Sequence, residues 1–140
     1  MWLIYAFLSA IFAALVAIFA KMGLKGIDST LATAVRSIIM AGFLFLTAFS
    51  LKKFQGFNLA SFSQKEWLLI ALSGIAGAIS WLFYFYALKD GMAGKVAAID
   101  RLSLVFVIIL AAMFLGEKFG WQSAVGAVLM VSGAILITLK

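Results

Sequence analysis

Residues 2–24 read WLIYAFLSAIFAALVAIFAKMGL, a run whose only charge is Lys21. As a helix rising about 1.5 Å per residue it reaches about 35 Å, enough to cross the roughly 30 Å hydrocarbon core of a bilayer. Working outward, four more such runs follow, and the full set is Trp2–Leu24, Thr30–Leu51, Glu66–Leu88, Lys95–Leu115 and Trp121–Leu139. The prediction is an all-α integral membrane protein with five transmembrane helices and a single domain over residues 1–140. An odd number of spans puts the two termini on opposite sides of the membrane. A five-helix unit with no soluble domain is the size of half of an inverted-repeat, ten-helix transporter whose second half comes from another chain.

Composition supports the membrane class. Hydrophobic residues make up 66% of the chain and charged residues 11%, with a mean hydropathy of +1.21, far from the usual soluble domain. There is no Cys and no His, which removes disulfides, thiolates, imidazole bases and the commonest metal ligands. The five acidic residues are scattered, so no metal centre and no cofactor is expected. The net charge of +6 is spread over the ends of all five spans, which suits snorkelling to lipid headgroups and not a nucleic-acid surface. An apolar N-terminus without a basic n-region reads as a first span and not a secretory signal.

The links carry helix punctuation. In Lys25-Gly26-Ile27-Asp28-Ser29, Gly26 can end one helix and Asp28 or Ser29 can cap the next. The longest link, about Lys52 to Lys65, ends in Ser63-Gln64-Lys65-Glu66, the spacing of a capping box. Short links at Lys89–Gly94 and Gly116–Gly120 imply antiparallel neighbours. With no Pro in the chain, any break in a span must use Gly or a polar side chain.

Lys and Arg are nearly balanced across the membrane. Lys52, Lys53, Lys65 and Lys118 fall on the N-terminal side; Lys21, Lys25, Lys89, Lys95 and Lys140 fall on the other, joined by Arg36 and Arg101 within spans. So weak a bias fits two readings: insertion in both orientations, which permits an antiparallel homodimer, or one orientation set by other features.

Charges inside spans are the functional candidates, because an ionisable group in hydrocarbon needs protein, water or a partner. These are Lys21, Arg36, Asp100 and Arg101, which form a basic vestibule that binds a solute, a gate whose charges open and close by exchanging partners, or a set of snorkelling and neutralising groups. The third span adds a stripe of Gly74, Gly77, Trp81, Tyr84 and Leu88, where Trp81 and Tyr84 are cavity walls or core. Tyr86, Trp2, Trp67 and Trp121 read as interfacial anchors. In the fifth span Ser123, Gly126, Ala127, Met130, Gly133 and Ala134 share a small-residue stripe suited to close helix approach, between protomers or within one. A similar stripe in the first span, Ala6, Ala10, Ala13, Ala14 and Ala17, packs tightly or lines a cavity.

The segments Ile18-Phe19-Ala20-Lys21-Met22-Gly23-Leu24-Lys25-Gly26-Ile27-Asp28, Leu31-Ala32-Thr33-Ala34-Val35-Arg36, Asp100-Arg101-Leu102-Ser103 and Phe114-Leu115-Gly116-Glu117-Lys118, followed by Gly126 to Gly133, resemble the EamA domain of the drug/metabolite transporter superfamily, in particular its five-helix bacterial and archaeal branch. The resemblance spans essentially the whole chain. It implies a non-enzymatic transporter in a prokaryotic plasma membrane, working by alternating access as a homodimer or with a related five-helix protein. Gly126 and Gly133 are similar to the glycine pair by which the last helix dimerises in the small multidrug resistance branch. That branch also carries a first-helix glutamate for proton-coupled cation export, and the first span here has none. The charge balance favours an anionic or zwitterionic solute, with Arg36 and Arg101 attracting it and Asp100 orienting them or receiving an amino group. A non-transporting assembly or lipid-handling subunit is the alternative.

Overall fold

The computed structural model describes residues 1–56, 58, 62–118 and 120–139. Phe119 in the last link, Lys140 in the charge tally and residues 57 and 59–61 of the longest link lie outside the described residues. All regular structure among the described residues is helical, with α1 at Trp2–Gly23, α2 at Ser29–Ser50, α3 at Gln64–Asp90, α4 at Ala93–Asp100, α5 at Ser103–Leu110 and α6 at Trp121–Thr138. A π-helical turn, Ala111–Leu115, prolongs α5. Counting Ala93–Leu115 as one span, five helical segments among the described residues are long and apolar enough to cross a membrane.

Only eight of the described residues are buried, namely Ala17, Leu24, Ser29, Thr33, Phe85, Leu88, Ala127 and Ala134. A water-soluble fold would hide its large apolar side chains. Here most Leu, Ile, Phe and Val side chains face outward, as a lipid-solvated surface allows.

The helix boundaries follow local chemistry. Leu24 to Ile27 form a turn closed by the Ile27 N–H on the Leu24 carbonyl, 3.4 Å, and Gly26 takes a φ of +84° that a side chain would resist. Asp28, not Ser29, caps α2, accepting from the Leu31 N–H at 3.0 Å. Its carboxyl group is held below the usual aspartate range chiefly by that hydrogen bond. The α3 start is a complete capping box: Glu66 Oε2 accepts from the Ser63 N–H at 2.8 Å, and the Glu66 N–H reaches Ser63 Oγ at 3.3 Å. The flanking Phe62 and Trp67 rings meet edge to face at 5.5 Å, a hydrophobic staple, so Trp67 does more than anchor at an interface.

The other end of α2 closes with Lys52 at φ +54°. The Lys52 N–H bonds to the Phe49 carbonyl and the Lys53 N–H to the Ala48 carbonyl, both at 2.9 Å, a Schellman closure with lysine where glycine is usual. Two expectations are corrected. The link after the third span shrinks from Lys89–Gly94 to Gly91–Met92, because α3 runs through Asp90 and α4 starts at Ala93.

The fourth span, expected as one helix over Lys95–Leu115, is broken between Asp100 and Ser103. There the backbone changes from the α-helical to the tighter three-residue pattern. The Leu102 N–H bonds to the Ile99 carbonyl, Leu104 to Arg101 and Val105 to Leu102, at 2.9, 3.1 and 3.0 Å. No Gly or Pro marks the spot; the polar run Asp100, Arg101 and Ser103 does. At the far end, Gly116 at φ +68° ends the π turn, with the Glu117 N–H on the Ala111 carbonyl at 3.3 Å.

The chain divides into two compact units, Gly23–Lys89 and a second made of Met1–Met22 with Asp90–Lys140. The first contains α2 and α3. In the second, α6 packs mainly on α4 and touches α5, and Lys95 Nζ donates to the Thr138 carbonyl at 3.4 Å. The start of α4 thus meets the end of α6, as antiparallel neighbours require.

Candidate functional site

Within Gly23–Lys89, α2 and α3 are joined by side chains at one end. Thr30 Oγ1 and the Tyr86 hydroxyl lie 2.6 Å apart. Six residues along α2, the Arg36 guanidinium sits 3.7 Å from the centroid of the Trp81 ring and 5.6 Å from that of Phe85. Moving forward on α2 while moving back on α3 is the register of an antiparallel pair. Trp81 in turn meets Tyr84 and Phe85 edge to face, at 5.5 and 6.1 Å. The predicted residues Arg36, Trp81 and Tyr84 therefore form one cluster, and Phe85, absent from the prediction, belongs to it. It is buried, at 3% exposure, and its place four residues after Trp81 on the same helix face was the available signal.

The inward face of α2 is polar. Ser29, Thr33 and Arg36 fall at i, i+4 and i+7, on one side of a helix; Ser29 and Thr33 are buried and Arg36 is half-buried. The Thr33 hydroxyl donates to the Ser29 carbonyl at 2.7 Å and the Ser37 hydroxyl to the Thr33 carbonyl at 2.8 Å. The Ser29 hydroxyl, fully buried, has no partner among the described residues. The facing side of α3 is apolar and aromatic: Trp81, Tyr84, Phe85 and Leu88. Beyond this end the pair carries no buried residue, on α2 from Ser37 onward or on α3 before Gly77. A Cβ built on Gly74 or Gly77 would meet nothing within 4 Å, and Gly74 is exposed on the outer surface of α3.

The electrostatics of this unit are lopsided. Its only carboxylates are Asp28 and Glu66, and both serve as helix caps. Arg36 is held by ring faces and not by an acid of its own unit. Stacking suits a guanidinium, whose flat face is weakly hydrated, but it leaves the in-plane N–H donors to be satisfied by something else. Thr30 and Tyr86 were not singled out together from sequence, since Tyr86 reads by composition as an interfacial anchor.

The remaining candidates lie in the other unit. Lys21 is half-buried near the end of α1, Asp100 is half-buried at the end of α4, and Arg101 is exposed in the break. Of the α1 alanine stripe, Ala17 is buried and Ala13 half-buried, whereas Ala6, Ala10 and Ala14 are exposed. On α6, Ala127 and Ala134 are buried within the chain, Met130 and Gly133 are half-buried, and Ser123 and Gly126 are exposed. Among the described residues no group of His, Cys, Asp and Glu could hold a metal ion.

The sequence profile of the EamA-like transporter family matches residues 1–139. A Sinorhizobium protein described as "Uncharacterized transporter in cobO 3'region" is 40% identical over 136 residues, covering 97% of this chain and 95% of the relative. "Uncharacterized transporter YvbV" of Bacillus subtilis is 28% identical over 138 residues, covering 94% of this chain but 43% of that protein. One relative is thus as long as this chain, and the other more than twice as long. No solved structure matches. With five spans, an all-helical fold and a family match over nearly its whole length, the chain belongs to the EamA-like transporter family, within the drug/metabolite transporter superfamily.

Proposed function

We propose that the protein carries a small anionic or zwitterionic solute across a prokaryotic plasma membrane, by alternating access in a dimer. The observation that carries the reading is Arg36, a guanidinium inside an apolar span, stacked at 3.7 Å on Trp81 with both carboxylates of its unit committed elsewhere. A cation fixed on an aromatic face, with N–H donors to spare, suits a carboxylate or phosphate. Trp81 and Tyr84 supply walls for a planar or amphipathic body. Lys21, Asp100 and Arg101 enter the proposal through charge alone: the basic groups attract the solute, and Asp100 receives an amino group.

The dimer is supported by the small residues left uncovered on α6. Because Ala127 and Ala134 are buried within the chain, the proposed contact edge runs through Ser123, Gly126 and Gly133, with Met130 beside it. The relative in which this chain spans 43% of the length fits a second five-helix unit, here supplied by another copy or a close relative.

The test is thermal denaturation of the purified protein in lipid nanodiscs against a panel of monocarboxylates, phosphate esters, amino acids and organic cations. Stabilisation by anions or zwitterions that disappears in Arg36→Gln is the expected result; stabilisation by cations alone rejects the charge assignment. No solute effect, together with phospholipid that co-purifies and is released by Arg101→Ala, favours the lipid-handling alternative. Orientation is read by labelling a single cysteine in whole cells. Gln55→Cys is preferable to Gly56→Cys, since Gly56 has a φ of +77°. Labelling of about half the molecules from outside is expected for an antiparallel homodimer.

A further inference from the structure

We propose that the Ser29–Thr33–Arg36 face of α2 is the polar wall along which a solute reaches Arg36, and that the Thr30–Tyr86 hydrogen bond is the latch across its mouth. This rests on the reading of Arg36 as the solute-binding cation. Three independent observations converge on the latch. The Ser29 hydroxyl has no exposed surface and no partner among the described residues, a costly state for a polar group that a polar visitor relieves. Thr33 and Arg36 continue the same face, so a polar group leaving Ser29 meets a second hydroxyl and then the guanidinium about 10 Å farther along the helix. Thr30 and Tyr86, joined at 2.6 Å, tie α2 to α3 beside Ser29, at the exposed edge of the pair.

The two bonding patterns on this short stretch have different consequences. The Thr33 and Ser37 hydroxyls bond back to carbonyls of their own helix, so those bonds survive any separation of α2 from α3. The Thr30–Tyr86 bond is lost as soon as the helices part. Opening at this end therefore breaks one hydrogen bond and frees one hydroxyl that had none. The polar groups at the mouth thus favour neither form strongly, and the closed form is held by the apolar contacts of Phe85 and Leu88. Asp28 at the start of α2 and Lys89 near the end of α3 put opposite charges at this end, where Lys89 adds slightly to the lowering of the Asp28 pKa.

The absence of native cysteine makes the proposal directly testable. Ser29→Cys, nearly isosteric, is labelled in nanodiscs with a small anionic methanethiosulfonate and with its quaternary-ammonium counterpart. With the latch intact the thiol should react slowly. Tyr86→Phe or Thr30→Val should each speed the reaction on the order of five-fold, the weight of one exposed hydrogen bond. The anionic reagent should be preferred, and Arg36→Gln should erase the preference.

Thr47→Val, which removes a hydroxyl bonded within α2, is the control and should change nothing. Thr30→Val preserves shape and keeps the test usable if Tyr86→Phe misfolds. Equal rates with and without the latch, fast labelling with the latch intact, or a preference for the cationic reagent would each overturn the proposal. Labelling needs no transport. Latch-dependent labelling without solute stabilisation would reject the transport reading and not the latch, and the reverse result would reject the latch alone.

Discussion

The second and fourth spans each carry an arginine within their apolar length, and they accommodate it in opposite ways. α2 runs as an unbroken helix past Arg36, whose guanidinium lies flat against Trp81 with Phe85 nearby. The fourth span gives up α-helical hydrogen bonding where Asp100 and Arg101 fall, and resumes as α5 at Ser103. Arg36 is half-buried; Arg101 is exposed. A charge that finds a side-chain surface leaves the backbone intact and is fixed in place. A charge at a break sits where the helix tightens to the three-residue pattern, and its side chain is exposed. Only the first arrangement fixes the guanidinium on a ring face.

The largest expected effect tests that contrast directly. Replacing Arg36 by Gln should weaken solute-dependent stabilisation about 10- to 100-fold, since hydrogen bonds to charged groups are each worth about 1.5–3 kcal/mol. Arg101→Gln should weaken it several-fold less, and equal losses would break the comparison. Arg36→Lys sharpens it, because the charge stays but the flat stack is lost. Weaker binding at unchanged turnover marks Arg36 as a binding group, whereas unchanged binding at slower turnover marks it as a gate.

Next in size is the backbone. Amide hydrogen exchange in nanodiscs should run about ten-fold faster over Asp100–Val105 than over Thr33–Ile38, reflecting a lower local opening free energy at the break. Smaller is Trp81→Leu, which removes the stacking surface. It should lower stability by about 1–2 kcal/mol, the range of a partly desolvated cation–π contact, read as a shift in unfolding temperature.

The smallest effect concerns capping. Asp28 caps α2, whereas neither α4 nor α5 has a side-chain cap. With its pKa lowered in the fold, Asp28 contributes stability that is complete above the ordinary aspartate value and is lost as pH falls through the lowered one. Unfolding temperature should decline over that acid window, and Asp28→Asn should flatten that part of the profile.

The spans were legible because length and apolarity alone define them, and the capping box because Ser63 and Glu66 are a local pair. Asp28 and Ser29 were both eligible caps; choosing between them needs the backbone angles. Arg36, Trp81 and Tyr84 could be picked as residue types out of place in lipid. Their assembly into one cluster depends on the register between α2 and α3, which no local signal carries. The Thr30–Tyr86 bridge was hidden for the same reason, and because a tyrosine near a helix end has an ordinary explanation. The break in the fourth span escaped notice since neither Pro nor Gly marks it. On α6 the small-residue stripe was visible, but not that part of it is covered by its own chain.

The break also bears on how the protein is made. α4 and α5 have eight residues each, about 12 Å of helix apiece, so neither crosses a bilayer alone. α4 and the break leave the ribosome first, bearing Lys95, Asp100 and Arg101, and a charge near the middle of a span opposes insertion by about 2.5–3.5 kcal/mol. The run from Leu102 to Leu115 holds ten Leu, Ile, Val and Phe residues, each favouring insertion by about 0.3–0.6 kcal/mol. We therefore expect nascent chains truncated at Leu102 to leave α4 outside the membrane, and chains extended through Leu115 to bring it in. Early insertion of the shorter chain, scored by glycosylation mapping, would contradict this: entry of the fourth span would not then be decided by the half synthesised last.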